Sequence, residues 1–256
     1  MAYSEHLKDL KAVWGDSCHA MWAELLCIAM AESHVVSNYK DIPASKSIDE
    51  MFYAPELRGR INALTRDTFL ERTPSYRHAV VTNRIVILSA SFEAYFSSFL
   101  DAYIQSRAKL FDAAIGSRTP AGDKLYGEVR KVRGLVQRIQ AFSEHTGSGI
   151  KKIEPYLSYL GDVYTLRNVL AHRAGLVDDH ASRELVNVRI ASGEKVILSP
   201  AVLIDLAAPV MSIADLLDRK IVSEYDPSTG RHRPEHIAET GRRRPPKIRP
   251  SRKAKS

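Results

Sequence analysis

An all-α helical bundle is the fold class this chain predicts, and three observations carry that expectation. Apolar residues recur three or four apart through several long windows, the signature of helices that each bury one face. Strand-like alternation is confined to one short stretch near 185–198. At 256 residues and 45% hydrophobic content, the chain is long enough to bury a full core. The expected organisation is an N-terminal layer of helices over 1–75, a helical domain over 76–223 and a disordered basic tail over 224–256.

In chain order, Leu7, Leu10, Trp14, Cys18, Met21, Leu25 and Ile28 predict one amphipathic helix over 4–32. Cys18 and Cys27 lie nine residues apart on it, about 13 Å of rise, so they cannot bridge within the helix. A reducing compartment fits that usage. Between 34 and 75 the pattern shortens. Ser47-Ile-Asp-Glu50 reads as a capping box, Pro55 and Gly59 as breaks, and Ile61, Leu64 and Phe69 as a helix stopping before Pro74.

Tyr76 to Ala114 reads as the longest helix, apolar over so much of its circumference that it must be central. Glu93 sits within it. A carboxylate in that neighbourhood needs a partner if buried, and Arg167 and His172 could serve. After a loop over Gly116–Gly122, Leu125, Val129, Val132, Val136 and Ile139 predict a helix ending at His145-Thr-Gly147. Its other face, with Lys124, Arg130, Lys131, Arg133 and Arg138, is strongly basic. Such a face is usually solvated, but it could follow a nucleic-acid backbone.

The next helix starts near Gly149 and ends in Tyr164-Thr-Leu-Arg-Asn-Val-Leu-Ala-His-Arg-Ala-Gly175, the one stretch that suggests chemistry. Gly175 reads as its stop. Arg167 and His172 stand about 140° apart around the helix and would flank one groove, while Asn168 and His172, four apart, stack. A guanidinium offers a rigid fork of donors suited to phosphate, and an imidazole exchanges protons near neutral pH. Those are parts of a metal-free RNA-cleaving site. The second proton carrier is missing from the motif, and a two-fold dimer would supply it as a second histidine. A structural arginine with a histidine capping the helix C-terminus is the bland alternative.

Arg167-Asn168-Val-Leu-Ala-His172 resembles the signature of the HEPN superfamily: an arginine, usually a polar residue after it, and a histidine four to six positions on. The earlier helix with Leu88-Ser-Ala-Ser-Phe-Glu-Ala-Tyr-Phe96 is similar to the helix packed against the motif helix in several HEPN families, so the resemblance covers about residues 76–220. It implies a small all-helical domain that dimerises with its motifs facing each other. Often such a domain is a metal-independent endoribonuclease of toxin–antitoxin, anti-phage defence or RNA-processing systems, and an antitoxin or regulatory protein is then a further partner. Some members only bind. In one branch a tyrosine two positions after the histidine is modified by a partner enzyme; Ala174 stands there, so that regulation does not carry over.

Beyond Gly175, Leu185-Val-Asn-Val-Arg-Ile190 and Lys195-Val-Ile-Leu198 predict a β-hairpin, and Ser199-Pro200 begins a last helix with Leu203, Leu206, Val210, Ile213, Leu217 and Ile221 on its stripe. From Glu224 onward ten Lys/Arg face four Asp/Glu, so +6 of the net +7 lies in the tail and the body is nearly neutral. A cationic tail of this kind solubilises, or attracts RNA or an acidic partner. No phosphate-binding glycine loop, dinucleotide fingerprint, metal-ligand pair or nucleophile elbow occurs. No cofactor or metal is therefore expected. With no run of 18 apolar residues and no signal-peptide pattern, a soluble cytoplasmic protein without membrane contact is expected. The site residues expected are Arg167, Asn168, His172 and Glu93. The alternative is a non-catalytic dimeric module that holds nucleic acid or a partner protein.

Overall fold

The computed structural model describes residues 4–48, 51, 64–115, 129, 131–146, 150–226 and 231–232. Over these the chain is mostly helical. The helices bounded within the described residues are α1 (Glu5–Asn38), α2 (Arg66–Ile115), α3 (Leu135–Thr146), α4 (Ile150–His172), α5 (Asp179–Glu184) and α6 (Pro200–Glu224). A two-residue antiparallel pairing, Tyr225–Asp226 with Arg231–His232, follows α6. The remaining residues of the expected tail lie outside the described residues, as do Gly116–Gly122, Leu125, Pro55, Gly59 and the Asp49–Glu50 half of the expected capping box.

Helix α2 is the spine. Ile85, Leu88, Phe92 and Phe96 are at most 1% exposed, and α1, α4 and α6 all pack on it. The core is one cluster running from Leu7 on α1 to Leu217 on α6. A fully buried side chain of this size contributes about 1.5–3 kcal/mol through the hydrophobic effect. α2 and α6 are also long and apolar enough to span a membrane by length and composition, but here their stripes form this core.

Helix α1 runs antiparallel to α2, which two ion pairs record: Arg84 to Glu24 at 2.7 Å and Arg77 to Glu32. Its N-terminus is tied to α6. Ser4 caps α1 by accepting from the Leu7 N–H, and donates its own N–H (3.0 Å) and hydroxyl to the fully buried carboxylate of Asp218. At the other end Val35, Ile48 and Met51 pack with Tyr39, Phe69 and Leu70 as a second small cluster, and Arg66 donates to the carbonyls of Tyr39, Lys40 and Ile42.

Three sequence expectations change here. The helix expected to stop before Pro74 continues through it, so residues 75 and 76 lie inside α2. A helix-interior proline costs about 3 kcal/mol; packing of Phe69 and Leu70 in the second cluster holds the turns ahead of it in place. The stripe from Leu125 to Ile139 is broken at Val132–Gly134, where Gly134 takes φ +88° and Arg138 Nε donates to the Val132 carbonyl at 3.1 Å. No β-hairpin forms over 185–198. Residues 193–196 instead bond to 175–177: Val177 N–H to Glu194 O at 2.9 Å, Gly193 N–H to Val177 O and Val196 N–H to Gly175 O, both at 2.8 Å.

Replacing Asp218 by alanine strands the buried donors of Ser4. Asp218→Ala should lower the unfolding free energy by about 2 kcal/mol, read by urea denaturation, and raise hydrogen exchange at the α1 N-terminus first.

Candidate active site

The motif helix α4 ends at His172, and the turn that ends it builds the site. Ala174 and Gly175 take left-handed φ of 51° and 81° in succession. Glycine adopts this conformation freely, whereas alanine costs about 1–2 kcal/mol there. The Val169 carbonyl accepts from both the Arg173 N–H (3.0 Å) and the Gly175 N–H (3.1 Å), closing the helix. The reversed chain reaches Asp178, whose side chain accepts the Ala181 N–H at 2.8 Å and caps α5. This short helix lies back across the last turns of α4.

Between α4 and α5 opens a cleft of about 370 Å³ lined by Thr165, Asn168, Val169, His172, Arg173, Asp178, His180, Ala181 and Glu184. Two imidazoles thus share it. His180 Nδ1 stands 3.4 Å from Glu184 Oε2, and the same oxygen accepts from the Thr165 hydroxyl at 3.3 Å. Arg173 pairs with Asp178 across the turn. His172, Arg173, His180 and Glu184 are exposed, so solute reaches them freely.

Arg167 is not among the lining residues. Its guanidinium donates to Asn168 Oδ1 at 3.0 Å, which joins it to the cleft through Asn168. Arg167, Arg138 and Glu93 are all close enough to Tyr164 for their charges to act on its phenol. Tyr164 donates to the Ser89 carbonyl at 3.1 Å. Burial holds its phenol proton well above the usual range, the adjacent Glu93 carboxylate adds to this, and Arg167 and Arg138 oppose it. Glu93 itself is exposed, so the expectation of a buried carboxylate seeking Arg167 or His172 is replaced by a solvated one beside Tyr164.

The sequence does not by itself connect Asp178, His180 and Glu184 with the motif, because the stretch between Gly175 and the hairpin expected over 185–198 carries no apolar period. The usable signal was local: Asp178 ahead of Asp179-His-Ala-Ser-Arg-Glu184 is an N-cap preceding a short helix. Asp162 was also missed. Fully buried on α4, it accepts the N–H groups of Val186 (2.9 Å), Asn187 (2.6 Å) and Val188 (3.1 Å), fixing the chain that would otherwise pair as a strand. No cluster of metal-ligating side chains occurs among the described residues.

Asp162→Ala should lower stability by about 3 kcal/mol, since three donors lose a buried acceptor, and thermal unfolding followed by circular dichroism measures it. Asp162→Asn, which keeps one acceptor oxygen, should cost less. Comparison with models of known families, with curated proteins and with solved structures gives no match.

Proposed function

We propose that this chain is a metal-independent endoribonuclease of the HEPN type, acting at the cleft between α4 and α5. The observation that carries the reading is that Asn168, His172 and His180 line one open cleft, with the Arg167 guanidinium bonded to Asn168 at its edge. In the proposed reaction one imidazole takes the proton of the RNA 2′-hydroxyl as that oxygen attacks phosphorus. The other gives a proton to the departing 5′-oxygen. The products are a 2′,3′-cyclic phosphate and a 5′-hydroxyl. Arg167 stabilises the charge that builds on the phosphoryl oxygens, and Asn168 holds Arg167 in place. His180, steadied by Glu184, supplies within one protomer the second proton carrier that the motif alone lacks. A toxin–antitoxin, anti-phage defence or RNA-processing setting suits such an activity, with an antitoxin or regulatory protein as its partner.

A second reading, a non-catalytic module for nucleic acid, draws on the exposed Lys131 and Arg133 at the break before α3. It predicts RNA binding that weakens steeply with salt and no fragments.

Purified protein incubated with mixed RNA in EDTA should yield fragments with cyclic-phosphate ends. His172→Ala and His180→Ala should each slow cleavage by about 10²–10⁴-fold, and Arg167→Ala by about 10²–10³-fold. All three should keep the wild-type circular dichroism. Cleavage abolished by the chelator, or undiminished in His172→Ala, sinks the mechanism.

A further inference from the structure

The break ahead of α3 gathers positive charge beside the motif. Gly134, at φ +88°, turns the chain there, and the Val132 carbonyl accepts from Arg138 Nε at 3.1 Å. Lys131 and Arg133 flank Val132, each one Cα step of about 3.8 Å away, and both are exposed. Three cations therefore stem from one turn of chain. Phe142, one helical turn beyond Arg138, packs edge-on to Phe96 of α2 at 6.1 Å, and Tyr164 of α4 donates to the Ser89 carbonyl of the same helix. Ser89 and Phe96 are only about 10 Å of rise apart. The start of α3 and Tyr164 thus meet over the same two turns of α2.

At that junction the charge of Arg138 reaches the Tyr164 phenol together with that of Arg167. Arg167 follows Tyr164 by three residues on one face of α4 and bonds to Asn168, which lines the cleft. Lys131, Arg133, Arg138 and Arg167 so make one positive strip that ends at the cleft. Elsewhere Arg77, Arg84 and Arg173 are each neutralised by an acidic partner. Among the described residues no carboxylate forms an ion pair with any of the four: Arg138 donates to a carbonyl and Arg167 to an amide oxygen. Glu93 is the acidic group at the junction, and it acts on Tyr164. Grouped like charges repel one another, and a bound polyanion turns that repulsion into attraction.

We propose that this strip holds the phosphates of an unpaired RNA strand beside the bond to be cut, leading the strand from the break before α3 to the cleft. Lysine and arginine neutralise backbone phosphates and release their counterions whatever the base sequence. An unpaired strand is the form that fits, because attack by a 2′-hydroxyl on the neighbouring phosphorus needs the reacting atoms aligned, and a strand held in a helical duplex is not free to align them. The end point of this path rests on the proposed nuclease; the strip itself does not.

Fluorescence anisotropy of the full chain with a short labelled 2′-O-methyl RNA, which lacks the attacking hydroxyl and stays intact, tests this over a range of salt. For single strands the slope of log K against log salt is about 0.7 per neutralised phosphate, so joint replacement Lys131→Gln, Arg133→Gln should flatten it by about 1.4. Neither side chain is buried, so circular dichroism should not change. Arg72→Gln removes another exposed arginine, one that precedes Ser89 by about 25 Å of rise along α2, and should leave the slope as it was. The basic residues after Glu224 contribute equally to every variant and drop out of the comparison. No binding by wild type, a slope unchanged in the double variant, or an equal flattening by Arg72→Gln overturns the strip. A duplex of the same sequence bound as tightly and with the same loss overturns the assignment to an unpaired strand. Strip-dependent binding without cleavage of ordinary RNA leaves the strip standing and removes the nuclease, whereas cyclic-phosphate fragments with binding indifferent to Lys131 and Arg133 do the reverse.

Discussion

Everything in this fold follows from the need to cover α2. Phe92 and Phe96, four apart and both essentially inaccessible, join Ile85 and Leu88 on one stripe, while Tyr95, Phe99 and Leu100 widen it until no single neighbour could shield it. Three long helices are needed, and α1, α4 and α6 supply them. Phe142 of α3 fills a remaining gap, edge-on to Phe96 at 6.1 Å and to Tyr103 at 5.1 Å. Aromatic pairs at such angles add to the area they bury. The site benefits because α4 is packed from Ile153 to Val169 and only its last turn emerges, held rigidly at the edge of the bundle.

Two buried carboxylates position segments that packing alone would leave free. Asp218 holds Ser4, and Asp162 holds residues 186–188; each is fully inaccessible and satisfied by N–H or O–H donors. A buried charge without partners would be prohibitively costly. These two are therefore strong constraints on where α1 begins and how the chain returns from α5 to α6. The Tyr95 hydroxyl donates to the Ala214 carbonyl at 3.1 Å beside Asp218, and its phenol is pushed well up by burial first and then by the Asp218 and Asp215 charges. Proton loss there would place a second negative charge next to Asp218, so this corner of the core is stable as a neutral phenol beside a carboxylate.

The helices α1, α2, α4 and α6 were legible in the sequence because each buries a stripe whose period is fixed by helix geometry. So was the end of α4 at Gly175. What was not legible depended on long-range partners. Leu185–Ile190 alternates like a strand, but the carboxylate of Asp162, more than twenty residues earlier, takes the N–H groups that a hairpin would have used. Pro74 looked like a stop because local sequence does not reveal the Val35–Ile48–Met51 cluster that holds the helix ahead of it. Arg167, Asn168 and His172 were visible as a spacing, but angular separation cannot tell which side chain turns toward which cavity. In the fold Asn168 and His172 line the cleft, and Arg167 reaches it through a hydrogen bond.

His180 lines the same cleft as His172, and under the proposed mechanism that changes what assembly must accomplish. If each protomer carried only one imidazole, proton transfer in both directions would require two motif ends to meet across a two-fold axis, and the interface would have to lie at α4. With two imidazoles lining one cleft, the chemistry proposed for α4 and α5 is complete in a single chain and places no demand on the interface.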